Sequence, residues 1–138
     1  TGTVEILRYV IVDDYGELIN PILTAGQVHG GVAQGIGQAL GEAAVYDPDS
    51  GQLLSGSFMD YFLPRANHLP SFEVRLEGMP TAANVLGVKG SGQAGAIAAP
   101  QAIVAAVMHA LGHNAGPHLD MPLNSEKIWR ALKCSKNE

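Results

Sequence analysis

Charge is scarce in this 138-residue chain: 8 Lys and Arg against 13 Asp and Glu, 15% in all, for a net charge of −5. So few basic residues exclude a phosphate-backbone binder, and no nucleic-acid partner is expected. Cysteine is almost absent. The single Cys134 cannot close an internal disulfide, which points to a reducing compartment, the cytoplasm. Cys134 itself reads as a frayed terminal residue rather than a ligand or nucleophile. No apolar run approaches the ~20 residues of a membrane span. The opening Thr1-Gly2-Thr3-Val4 lacks the basic and apolar regions of a signal peptide. There is no Gly-x-Ser-x-Gly elbow, no internal repeat and no low-complexity tract.

What is present is apolar and rich in glycine. Apolar residues make up 46% of the chain, with 17 glycines, so disorder is excluded and residues 1–138 read as a single domain with a real core. Val4 to Asp13 has apolar residues on both faces, the pattern of a central strand covered on both sides. From Thr24, a candidate N-cap, to about Ala43, apolar residues recur at helical spacing. Six glycines interrupt that helix, each at roughly 1 kcal/mol relative to alanine, so close packing or a ligand must offset them. Asp47 to Gly51 is a hairpin turn, and Phe72 to Glu77 alternates as a strand with one wet face. Pro100 fits the first turn of a helix closed by Gly112, and Asn124 caps a last short helix. Strands interleaved with helices predict an α+β, two-layer domain with a mixed β-sheet packed against helices.

The densest signal is Gly87-Val88-Lys89-Gly90-Ser91-Gly92-Gln93-Ala94-Gly95, four glycines in nine residues. Such density describes either an ordinary strand-to-helix connection or peptide N–H groups kept bare for a ligand. It is not a P-loop, since Lys precedes Gly, and not a dinucleotide fingerprint. His109 and His113, with His118 beyond, have a spacing that zinc can use. However, Gly112 ends the helix between them and no Cys, Asp or Glu completes a set, so no metal site is assigned. Asp13 and Asp14 are explained by the turn before Gly16.

Several motifs lie in a recognisable order. Asn20-Pro21 precedes Gly26-Gln27-Val28-His29-Gly30-Gly31-Val32-Ala33-Gln34-Gly35. Gly56-Ser57-Phe58-Met59-Asp60-Tyr61 is followed by Pro64-Arg65-Ala66. His118-Leu119-Asp120-Met121-Pro122-Leu123 leads into a Trp-bearing helix. With the glycine loop, this series resembles the molybdenum hydroxylases, the family of xanthine dehydrogenase, aldehyde oxidase and the carbon monoxide dehydrogenase large subunit. The likeness runs along nearly the whole chain and corresponds to the C-terminal portion of their molybdopterin-binding large subunit.

The resemblance implies that Gln27, Lys89, Gly90, Ser91 and Gly92 contact the cofactor, a molybdopterin that also occurs in a cytosine dinucleotide form. The family's activity is oxidation of an aldehyde or N-heteroaromatic with water, its electrons leaving through iron–sulfur and FAD domains or subunits. Its loop reads Gly-Val-Lys-Gly-x-Gly-Glu-x-Gly, and the glutamate is the catalytic base. Here that position is Gln93, whose amide cannot accept a proton near neutral pH, so impaired chemistry is expected. Two readings follow: a cofactor-binding fragment that acts only when joined to the rest of a large subunit, or a non-catalytic interaction or remnant domain that kept the fold. The isolated chain is expected to be inactive, cofactor-free and self-associated.

Overall fold

Asn20 and Pro21 set the start of the longest element. The extended Asn20 accepts the Leu23 N–H at 3.1 Å through its side chain. Pro21 takes the first helical position, where a missing N–H removes no hydrogen bond. The computed structural model describes residues 1–112 and 119–134, and within them the order is β1 (Tyr9–Asp13), α1 (Pro21–Leu40), β2 (Phe72–Leu76), α2 (Ala94–Leu111) and α3 (Ser125–Cys134). The expected cap, Thr24, lies one turn inside α1, its hydroxyl donating to the Asn20 carbonyl at 2.9 Å.

Three glycines of α1, and Gly41 just beyond it, are explained by packing. A Cβ on Gly31 would stand 2.8 Å from the Ala96 nitrogen, and one on Gly35 2.5 Å from the Ala99 Cβ. From the other side, a Cβ on Gly95 would stand 2.5 Å from the Val28 carbonyl oxygen. The two helices therefore meet nearly backbone to backbone. Val28, Val32, Ile36 and Ala39 join Ala99, Ile103, Val107 and Leu111 to form the core. At the end of α1, Gly37 lies under Pro64 and Glu42, and Gly41 under the Phe62 ring. The Ser57-to-Pro64 segment is folded onto that end by Ser57 Oγ to Asp60 at 2.7 Å and by Tyr61 OH to Glu42 at 2.6 Å.

Helix α2 begins at Ala94, so Pro100 lies inside it and not in its first turn. Seating Gly95 against Val28 fixes the earlier start, and Pro100 is buried against Gly35. This helix is long and apolar enough by length and composition to cross a membrane, a run the sequence reading did not count. Gly95, Ala99, Pro100, Ile103, Val107 and Leu111 are buried against the rest of the fold, while Ile97 stays exposed. Gly112 closes it as expected, with φ 56° and its N–H on the Met108 and His109 carbonyls.

The described sheet corrects two expectations. It has two strands, paired in parallel from Tyr9↔Phe72 to Asp13↔Leu76, and is not mixed. Strand β1 starts at Tyr9, since β2 offers no partner before Phe72, and it is covered on one face only: Ile11 is buried while Val10 and Val12 are 46% and 60% exposed. Strand β2 turns Phe72, Val74 and Leu76 to the core and Glu73 and Arg75 to solvent, as its alternation requires. The expected hairpin turn from Asp47 to Gly51 is present, closed by Asp47 N–H to the Gln52 carbonyl at 2.8 Å and Leu54 N–H to the Val45 carbonyl at 2.7 Å, with one antiparallel bridge, Tyr46↔Leu53. Asn124 caps α3 by accepting the Lys127 N–H at 3.0 Å, and Leu123 and Ile128 close the core beneath it. The architecture is thus mixed α/β, three helices with a small parallel sheet.

Candidate functional site

The six residues singled out in the two glycine-rich motifs come together where α1 passes the start of α2. Gln27 Nε2 donates to the Gly92 carbonyl at 2.7 Å, joining positions 65 residues apart. Two clefts flank that bond. One, about 490 Å³, runs between the β1–α1 connection and the loop and is lined by Tyr15, Asn20, Gln27, Lys89, Ser91 and Gly92 among others. A second, about 290 Å³, is lined by Gln27, Gly30, Gln34, Gly92, Gln93 and Ile97 among others. On α1, positions 27, 30 and 34 share one helix face, which brings two amides and a bare backbone to the same wall.

The loop's four glycines divide into two kinds. Gly87, with φ 65°, makes a turn that a side chain strains, and Gly95 seats α2 on α1. Gly90 and Gly92 have neither reason: their φ is ordinary and a Cβ on either would meet nothing within 4 Å. Gly26 and Gly30 on α1 are equally open. A helix-interior glycine that packs against nothing costs about 1 kcal/mol relative to alanine. Four open glycines around Gln27 therefore leave a bare cradle that the fold does not demand.

Gln93 precedes the first residue of α2, with φ −117° and ψ 0°. Its carbonyl accepts the Ala96 and Ile97 N–H groups at 2.9 and 3.2 Å, while its side chain makes no capping bond. The amide stands exposed at the smaller cleft, beside a helix N-terminus whose partial positive charge favours electron-rich atoms. Near neutral pH it can donate and accept hydrogen bonds but cannot carry a proton away.

A charged pair lies at the Lys89 end of the loop, and Lys89 lines the larger cleft. The Lys89 ammonium pairs with the Asp14 carboxylate, which also accepts the Gly16 N–H at 2.9 Å. The bond from Lys89, then that from Gly16, holds the exposed Asp14 carboxyl below the usual carboxylate range. Tyr15 is buried and donates to Asp13 at 2.7 Å; burial first, and that bond second, push its phenol far up, so it stays protonated. Sequence reasoning assigned Asp14 to turn chemistry alone and missed its pairing with Lys89, a contact across 75 residues that no local pattern signals. Of the histidines, His109 lies in the last turn of α2. His113 and His118 lie outside the described residues, and no cluster of three metal-binding side chains occurs among the described ones.

This set suits a ligand rich in hydrogen-bonding groups held against bare backbone. Gln27 keeps its amide oxygen and second N–H beyond the bond to Gly92. Glutamine amides and peptide groups bring no thiolate, imidazole or carboxylate to compete for a metal.

Comparison with known proteins shows the family. Residues 1–70 match a family described as "Molybdopterin cofactor-binding domain". The chain is 41% identical over 133 residues to the nicotine 6-hydroxylase large subunit of Paenarthrobacter nicotinovorans, covering 96% of this chain and 16% of that protein. Reconstituted CO dehydrogenase from Oligotropha carboxidovorans superposes with a TM-score of 0.92 at 31% identity, over 99% of this chain and 17% of that one. Quinoline 2-oxidoreductase from Pseudomonas putida 86 gives 0.87 at 38% identity, over 94% and 16%. The chain thus spans about 16% of the length of the curated relatives it matches.

Proposed function

Because this chain belongs to the molybdopterin cofactor-binding domain family of the molybdenum hydroxylases, we propose that it is the C-terminal cofactor-binding part of such an oxidoreductase. The observation that carries the reading is the Gln27–Gly92 bond standing between two clefts and ringed by open glycines. When bound, the molybdenum cofactor supplies two-electron oxidation of an aldehyde or N-heteroaromatic with oxygen from water. The residues of this chain bind and orient it. Gln27 offers a directed amide pair, Gly90, Ser91 and Gly92 offer peptide groups and a hydroxyl, and Lys89 anchors the loop's end. Open glycines at 26, 30, 90 and 92 allow a flat ring system to approach the backbone.

Gln93 occupies the place of the catalytic base. Its amide can hold an oxygen by hydrogen bonding but cannot take the proton, and general base catalysis is worth ~10²–10⁴-fold. Gln93 is also what favours the second reading, a non-catalytic domain that keeps the fold. In either case the partner is the remainder of a molybdopterin large subunit, with iron–sulfur and FAD units beyond it, in the cytoplasm. Alone, the chain is cofactor-free and self-associated.

The test is to co-express the chain with the complementary large-subunit portion and compare wild type with Gln93→Glu. The expected result is equal molybdenum in both and aldehyde or N-heteroaromatic oxidation at least ~10²-fold faster in the Glu variant. Equal turnover in the two would remove Gln93 as the site of impairment. Oxidation by neither, with molybdenum bound in both, would favour the non-catalytic reading.

A further inference from the structure

The loop that carries Gly90 and Gly92 is tied at its Lys89 end to the β1–α1 turn. Lys89 N–H donates to the Tyr15 carbonyl at 2.9 Å, Glu17 N–H donates to the Gly87 carbonyl at 3.0 Å, and Gly16 and Val88 form an antiparallel bridge. Below it Asn84 clamps Val88, donating to its carbonyl at 2.9 Å and accepting its N–H at 3.2 Å. One side chain spans these pieces. Asp14 accepts the Gly16 N–H of its own turn and the Lys89 ammonium. Gly78 lies so close that any Cβ there would overlap the Asp14 carboxylate.

We propose that Asp14 is a positioning residue: by holding the Lys89 ammonium it fixes the glycine-rich loop to the β1–α1 turn and sets the Gly90–Gly92 backbone opposite Gln27. Two features of the structure converge on it. The carboxylate touches three separate segments, the turn, Gly78 and the loop, so its removal loosens the loop's packing while the backbone bonds remain. The pairing also neutralises Lys89, so the loop presents the site with peptide groups and the Ser91 hydroxyl, not with a free cation. Asp13, the neighbouring carboxylate, is engaged by the buried Tyr15 and does not substitute. The purpose of this positioning rests on the cofactor reading above; the positioning itself does not.

Hydrogen exchange read by mass spectrometry on the 138-residue chain separates the two. Asp14→Asn keeps an oxygen for the Gly16 N–H but removes the charge facing Lys89. Exchange at the Lys89 and Glu17 amides is expected to rise about two- to fivefold, the range an exposed ion pair supports. Lys89→Met should give the same rise, and the double variant no more than either single one, because both remove one interaction. Amides of Ile36 and Val107 in the core should exchange as in wild type. Unchanged exchange at Lys89 and Glu17 would overturn the proposal, as would effects that simply add, or a rise at Ile36 and Val107 that marks general destabilisation. If Asp14→Asn loosens the loop while Gln27→Ala keeps its molybdenum in the assembled large subunit, the positioning stands and the cofactor reading falls. A rigid loop in Asp14→Asn with molybdenum lost in Gln27→Ala gives the reverse.

Discussion

At Gln93 backbone and side chain have separate tasks: the carbonyl caps the first turn of α2, and the amide is left to the cleft. That division is why exchange for glutamate is expected to spare the fold and to act, under the proposed role, on the chemistry alone. Asp14 is the opposite case, a residue whose charge is structural. Its carboxyl lies below the usual range because Lys89 and the Gly16 N–H favour the ionised form. A depressed folded value adds stability above the unfolded value, about 3.9 for aspartate, and that stability is lost as pH falls through the folded one. Carbon-13 titration should therefore place the Asp14 midpoint below about 3.9, and Lys89→Met should raise it; a midpoint at or above that value contradicts the pairing. Residues of the glycine loop and Gln27 were legible in the sequence because each lies in a contiguous motif. Asp14 was not, since its partner is distant and its neighbours suffice to explain a turn.

Between α1 and α2 the same residue type does two jobs on adjacent positions. Gly31 faces the α2 backbone and Gly30 faces the cleft. Gly31→Ala must push α2 away and should lower the melting temperature. Gly30→Ala meets nothing and should raise stability by up to about 1 kcal/mol, the ordinary helix-propensity gain, while filling the cradle. Thermal denaturation of the two variants checks this, and a Gly30→Ala variant less stable than wild type would show that the fold, not a ligand, requires that glycine. Helical periodicity gave away both helices. It placed the cap at Thr24, one turn too late: Asn20 is the cap, and Pro21 starts the helix. Strand alternation does not report strand direction: Phe72 to Leu76 reads the same in a parallel pair as in a mixed sheet, and only the register with Tyr9 to Asp13 settles it.

For the molecule as a whole, the surface is as informative as the core. Leu7, Ile22, Phe58, Met59 and Val85 are all more than four-fifths exposed, and two hollows of about 920 and 870 Å³ border the extended residues 2–8. Exposed apolar side chains in this number mark surfaces for association. With the chain matching about 16% of its relatives' length, they fit the proposed docking of the remaining large-subunit segments, which would close the cradle from outside. Low charge and abundant glycine already hinted at a covered domain; which faces are covered required coordinates, because exposure is set by packing and not by composition. The central claim is that the Gln27 cradle holds molybdopterin, and the molybdenum content of the purified, assembled large subunit tests it most directly. Close to one molybdenum per assembled subunit in wild type, with most of it lost in Gln27→Ala, is the result expected; an assembled wild type without molybdenum, or a Gln27→Ala variant that retains it fully, would contradict the account.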